Sequence, residues 1–273
     1  MSMTHVLDQI AEAAGYLWQK GWGERNGGNL TVRLDSGCDT LCQQNGQPKE
    51  TVPIGMTLPN IAGMYFYVKG TQKRMRDLAR DPLANGCVIR IADTGDSFTY
   101  ATAPVPPTSE LPSHLMVQDY LMRSGSRYTA TLHTHPIELV ALSHHRAMLD
   151  DTSRPNRLTQ TLWSMIPETL AFAPLGIGIV PYEVPGSTEL AEATMAKIRD
   201  YDVVLWEKHG IFAVGQDIMD AFDQVDVLNK AARIYLDALA YTAVHPESQP
   251  EGMTENAMQD VQRIFHLPKQ RPC

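Results

Sequence analysis

The sequence predicts a single α/β domain in which a central, mostly antiparallel β-sheet is flanked by helices. Three observations lead there. Short runs rich in β-branched and aromatic residues, such as Leu30-Thr31-Val32-Arg33-Leu34 and Met64-Tyr65-Phe66-Tyr67-Val68, alternate with stretches of helical period. The strands Cys87 to Ala92 and Phe98 to Ala103 flank the turn Asp93-Thr94-Gly95-Asp96, a hairpin that puts an antiparallel pair into the sheet. No internal repeat and no linker divides the 273 residues, and a chain of that length buries a sizeable core. The expected domain is 1–273, with 246–273 a polar, proline-flanked tail.

Composition narrows the classes of function. Hydrophobic residues make up 43% and charged ones 20%, an ordinary balance for a soluble globular protein. A formal charge of −8 argues against general nucleic-acid binding but leaves room for a phosphorylated small molecule, which needs only local donors. No run approaches the ~18 apolar residues of a membrane span, and the N-terminus has no basic-then-apolar signal pattern, so a cytoplasmic protein without membrane partners is expected. The cysteines Cys38, Cys42, Cys87 and Cys273 lack a second pair with zinc-finger spacing and are expected as free thiols.

In chain order, residues 3–20 form an amphipathic helix with Val6, Ile10, Ala14, Leu17 and Trp18 near one stripe. The segment Asn26-Gly27-Gly28-Asn29 then reads either as a tight turn, since asparagine and glycine tolerate positive φ, or as a cradle of N–H groups for an anion. After the loop-rich residues 35–63 and the strand at 64–68, Lys69-Gly70-Thr71-Gln72-Lys73 is a plain connection or a further phosphate contact. Thr108 and Ser109 are candidate N-caps of a helix over 112–124, with Glu110 in its first turn. Helices are expected over 137–148, 155–166, 188–199 and 217–240, a short one around 254–265, and a strand at Gly176–Val180. The glycines there do not form a dinucleotide fingerprint.

The richest stretch is Tyr128-Thr129-Ala130-Thr131-Leu132-His133-Thr134-His135-Pro136. In a strand, positions i and i+2 share a face, roughly 6.5 Å apart, so two imidazoles can converge on one ion; the alternative is one histidine packed against the core and one at the strand end. A third, His209, is expected at the end of the strand that begins at Val203, with Gly210 opening a turn before a strand from Ile211 to Val214. Three protein ligands with one position open describe a catalytic zinc site. His144 and His145 are adjacent, point apart, and read as surface or packing residues.

Four segments in order give the chain a family likeness: Glu24-Arg25-Asn26-Gly27-Gly28-Asn29-Leu30-Thr31, Pro107-Thr108-Ser109-Glu110-Leu111-Pro112, His133-Thr134-His135 and His209-Gly210. Together they resemble the class II, metal-dependent sugar-phosphate aldolases, over about residues 20–240. Trp163 to Pro181, with Glu168 inside it, fits in spacing. The resemblance implies one zinc per subunit on His133, His135 and His209. It implies a dihydroxyacetone phosphate site whose phosphate is held by Asn26, Gly28, Asn29, Thr71, Thr108 and Ser109, with Glu110 as acid/base beside the metal. Glu168 would be a second acid/base serving the aldehyde half across an interface of a homotetramer. The implied activity is reversible cleavage of L-rhamnulose 1-phosphate to dihydroxyacetone phosphate and L-lactaldehyde. The alternatives are a fuculose-phosphate-type aldolase, a ribulose-phosphate 4-epimerase, which usually carries aspartate where Glu110 stands, or a non-catalytic module like the adducin head. Two departures are visible: Gly70-Thr71-Gln72 replaces a Gly-Ser-Gly-like phosphate turn, and the tail after 245 does not match.

Overall fold

The computed structural model describes residues 3–34, 50–103, 105–245, 247 and 250–268. Among the described residues nine strands form one sheet: β1 (Asn29–Leu34), β2 (Thr51–Pro53), β3 (Tyr65–Lys69), β4 (Gly86–Ile91), β5 (Ser97–Tyr100), β6 (Ala130–Thr134), β7 (Ile177–Val180), β8 (Val203–Trp206) and β9 (Gly210–Gly215). Their order is β2-β5-β4-β3-β1-β6-β9-β8-β7, and every neighbouring pair is antiparallel except β7 with β8. The expected mixed α/β fold with a mostly antiparallel sheet is what forms.

The helices are α1 (Met3–Gln19), the short α2 (Met75–Leu78) and α3 (Pro82–Asn85), then α4 (Leu111–Arg123), α5 (Ile137–Leu142), α6 (Arg157–Met165), α7 (Pro167–Phe172), α8 (Thr188–Ile198), α9 (Ile218–Val244) and α10 (Glu255–Ile264). None of the described helices is long and apolar enough to cross a membrane. One face of the central strands is apolar: Leu30, Val32, Ala130 and Leu132 pack with Ile10 and Leu17 of α1 and Val225 and Leu228 of α9. Burying side chains of this size stabilises by about 1.5–3 kcal/mol each, so this layer fixes the sheet from behind. The opposite face is covered by α4 and α8, whose Val117, Leu121, Leu190 and Ile198 pack on Trp206, Phe212 and Val214. The active groups described below lie on this second face.

Three expectations are corrected. The strand holding Val203 ends at Trp206, not at His209. Trp206 pairs with Gly210, so Glu207, Lys208 and His209 form the connecting turn and Gly210 begins β9. Lys208 takes a positive φ of 58° there, and its amide donates to the Ser143 hydroxyl at 2.8 Å. The same hydroxyl donates to the carbonyl of Val140, which closes α5 at Leu142; a separate 3₁₀ turn follows at Arg146–Leu149, where one helix over 137–148 was expected. Neither Thr108 nor Ser109 caps α4. The cap position is Glu110, and Thr108 Oγ1 instead accepts from the Glu110 amide at 3.3 Å. Cys87 is buried and unpaired, its thiol pushed up to about 12 by burial; Cys38, Cys42 and Cys273 lie outside the described residues.

Candidate active site

The centre of the sheet sets the positions. β1 and β6 are antiparallel neighbours, with Asn29 opposite His133 and Thr31 opposite Thr131. Because side chains alternate faces along a strand, these four point together toward α4, away from the apolar layer. The turn before β1 brings the chain in close: Gly28 has φ +70°, and a Cβ there would lie 3.0 Å from the carbonyl oxygen of His133. A larger residue would therefore be strained and crowded at once.

His133 is buried, with its ring against Trp206 at a centroid distance of 4.4 Å. Its Nδ1 donates to the carbonyl of Ile211 at 2.9 Å. His135, just past the strand, donates from Nδ1 to Glu24 Oε1 at 2.7 Å. A carbonyl and a carboxylate can only accept, so both rings carry hydrogen on Nδ1 and keep Nε2 as a lone pair. Those two Nε2 atoms stand 3.1 Å apart. Facing lone pairs repel unless a proton or a cation lies between them. Burial, together with the neighbouring rings of His135 and His209, pushes the His133 imidazole far below the usual histidine range, which disfavours the proton.

His209 completes the group. Its ring centroid lies 4.8 Å from that of His133 and 5.4 Å from that of His135. Its Nδ1 is buried without a hydrogen-bond partner among the described residues, and burial lowers its pKa to about 4. One candidate ligand atom from each of the three histidines lies within 4.8 Å of the others. Neutral imidazoles with paired lone pairs and an orphaned nitrogen fit a divalent transition metal. Gly210 permits this gathering: a Cβ there would meet the carbonyl of Thr134 at 2.5 Å and the His135 ring at 2.8 Å.

Glu110 faces the same space. Its Oε2 is 3.5 Å from His133 Nε2, and its Oε1 is 3.8 Å from His209 Nε2. Asn29 Nδ2 donates to Oε2 at 2.8 Å. Only 6% exposed, the carboxyl is pushed above the ordinary range by burial, against the pull of Asn29, His135 and Lys69.

Of the residues expected to hold a phosphate, three loops are drawn together. Gly70 bridges to Pro107, the Thr71 amide donates to Pro106, and the Thr108 amide donates to the carbonyl of Lys69. Lys69 Nζ in turn donates to the carbonyl of Asn26 at 3.2 Å, tying in the turn before β1. Thr108 and Asn29 are buried, while Asn26 and Ser109 are exposed. Glu168 stands apart: it is exposed in the first turn of α7, with no hydrogen bond or ion pair to this group. His144 and His145 are exposed, as expected.

Sequence reasoning missed three residues. Lys69 falls in the connecting segment Lys69–Lys73, where the sequence gives it no role of its own, but it is 2% exposed, and burial lowers its ammonium to about 8. His114 follows Glu110 by four residues, a spacing that puts both on one helix face and was the available signal. Glu24 holds the His135 ring.

With this geometry in place, comparisons with known proteins are informative. Residues 8–236 match the family described as Class II Aldolase and Adducin N-terminal domain. The chain is 52% identical over 269 residues to a rhamnulose-1-phosphate aldolase of Bacteroides thetaiotaomicron, covering 98% of this chain and 97% of that one. It is 33% identical over 239 residues to a rhamnulose-1-phosphate aldolase of Escherichia coli O157:H7, covering 86% and 85%. Among solved structures, a sugar-phosphate aldolase from Thermotoga maritima superposes with a TM-score of 0.75 at 32% identity, covering 88% of this chain and 97% of that one.

Proposed function

The chain belongs to the class II aldolase and adducin N-terminal domain family, and from that premise we propose that it catalyses reversible aldol cleavage of L-rhamnulose 1-phosphate to dihydroxyacetone phosphate and L-lactaldehyde. It is a class II aldolase, a carbon–carbon lyase. The observation that supports the aldol chemistry is Glu110, held by Asn29 within 4 Å of two imidazoles that cluster with a third, and the choice of L-rhamnulose 1-phosphate rests on the 52% identity to a rhamnulose-1-phosphate aldolase.

His133, His135 and His209 would hold zinc, which when bound supplies Lewis acidity toward the carbonyl and hydroxyl oxygens of the ketose. Glu110 does the proton work. In the condensation direction it takes the proton from the carbon of dihydroxyacetone phosphate that bears the free hydroxyl. Burial raises its proton affinity toward the working pH, where a general base is most effective. Glu168, brought by a neighbouring copy in a homotetramer, gives a proton to the aldehyde oxygen as that oxygen becomes a hydroxyl. Cleavage runs both transfers backwards, so protons balance.

Asn26, Gly28, Asn29, Thr71, Thr108 and Ser109 hold the phosphate. Thr108 Oγ1 accepts from the Glu110 amide and so keeps its own hydrogen to donate. Asn29 likewise keeps a second amide hydrogen beside the one on Glu110. Fixing the unreactive end in this way converts binding into orientation.

The test is synthesis. Incubated with dihydroxyacetone phosphate and L-lactaldehyde, the protein is expected to yield L-rhamnulose 1-phosphate, to stop on chelation and to resume with zinc. A different ketose as the main product would reject the substrate assignment, and activity indifferent to chelation would reject the metal.

A further inference from the structure

We propose that His114 is a positioning residue: it locks the side-chain amide of Asn29, and through it the carboxylate of Glu110, by a chain of hydrogen bonds with a single direction. The proposal rests on the reading of Glu110 as the proton carrier.

The chain is defined atom by atom. Asn29 Nδ2 donates to Glu110 Oε2 at 2.8 Å, so Asn29 Oδ1 is the end that faces His114 Nε2. An amide oxygen only accepts, and Nε2 must therefore carry the hydrogen. Neutral imidazole has one N–H, which leaves His114 Nδ1 as an acceptor, 2.6 Å from Thr131 Oγ1. With the Thr131 hydrogen spent on that nitrogen, the 2.6 Å contact between Thr131 Oγ1 and Thr31 Oγ1 takes its hydrogen from Thr31. The order of donation is Thr31, Thr131, His114, Asn29, Glu110. His114, Thr31 and Thr131 are fully buried, and burial lowers the imidazole to about 3, which keeps the ring neutral.

The consequence lies in the amide. A half-turn of the Asn29 side chain would set its oxygen against the Glu110 carboxylate. His114 prevents this, because the turned amide would also set two donors, NH₂ and Nε2–H, against each other. His114 thus holds hydrogen on the opposite nitrogen from His133 and His135, whose Nδ1 atoms donate. A ring that merely filled space against Phe212, 5.0 Å away between centroids, would be indifferent to which nitrogen is protonated.

Two substitutions separate these roles. A glutamine reaches the Nε2 position and can still donate to Asn29, whereas an asparagine reaches only Nδ1. His114→Gln is expected to keep most of kcat. His114→Asn is expected to lose about 10- to 100-fold in kcat, the usual cost of an outer partner, with zinc content unchanged. Equal losses in the two variants, or none in either, would overturn the proposal. A second measurement needs neither activity nor metal. Nitrogen-15 histidine spectra of the metal-free wild-type protein should contain a neutral imidazole protonated on Nε2 that disappears in His114→Gln; an Nδ1–H tautomer or an imidazolium at that position at neutral pH would overturn it. Should the wild-type protein lack aldolase turnover, the catalytic reading fails and the tautomer decides this proposal alone.

Discussion

Glu110 and Glu168 both sit where a helix begins beside a proline, Glu110 at the cap of α4 and Glu168 in the first turn of α7. A helix start favours a carboxylate in either place. Their surroundings differ. Glu110 is walled by His133, His209 and Asn29 and pushed by burial toward its protonated form. Glu168 is exposed on a six-residue helix that packs on α6, α9 and α10 rather than on the strands of the histidine cluster. The same local signature thus sits in two environments, one carboxyl enclosed beside the histidine cluster and the other exposed and apart from it. Burial by the tertiary fold, not the helix terminus, separates them.

The sharpest break of that contrast is Glu110→Gln. It preserves size and the Asn29 neighbour but removes the basic oxygen. Proton exchange on dihydroxyacetone phosphate should fall by about 10²–10⁴-fold, the usual worth of general acid–base help, with bound zinc retained. Normal exchange would take Glu110 out of the base role. Glu168→Gln is expected to act more narrowly. Carbon–carbon cleavage should slow by roughly 10²-fold while exchange on dihydroxyacetone phosphate continues at the wild-type rate. A variant in which both reactions fall together would place Glu168 in the same step as Glu110 and erase the distinction.

How much of this was legible in the chain follows from which forces are local. His133-Thr134-His135 could be read because strand periodicity alone puts i and i+2 on one face. The hairpin at Asp93–Asp96 announced itself through turn chemistry. His209 was recognisable by type but misplaced on a strand, because its turn depends on the Ser143 hydroxyl, 65 residues away, meeting the Lys208 amide. The end of α5 at Leu142 is local instead, set by Ser143 donating to the Val140 carbonyl three residues back. Thr31 and Thr131 looked like ordinary strand formers, and nothing local reveals that they pair across β1 and β6 and end on a buried imidazole. Lys69 was invisible for a related reason. A lysine in a connecting segment shows no role until Asn26 and Glu110, 43 and 41 residues away, close over it.

Lys69 also supplies the smallest and most discriminating of these tests. Its ammonium is buried with a single carbonyl partner among the described residues, and Glu110 stabilises its charge from nearby. It therefore serves either the carboxylate or an incoming phosphate. A charge-assisted hydrogen bond is worth at least about 1.5 kcal/mol, so if the phosphate is its partner, Lys69→Met should lower kcat/KM for dihydroxyacetone phosphate by at least about tenfold. The same substitution should leave turnover of unphosphorylated dihydroxyacetone unchanged. The pH dependence follows from burial, which disfavours the charged form and brings the pKa down to about 8. The charge is present below that pH and is lost above it, so wild-type KM for dihydroxyacetone phosphate should rise beyond about pH 8, and the variant should lack that rise. Equal damage to both donors would assign Lys69 to Glu110 instead, making the buried carboxylate dependent on a cation that the exposed one does without.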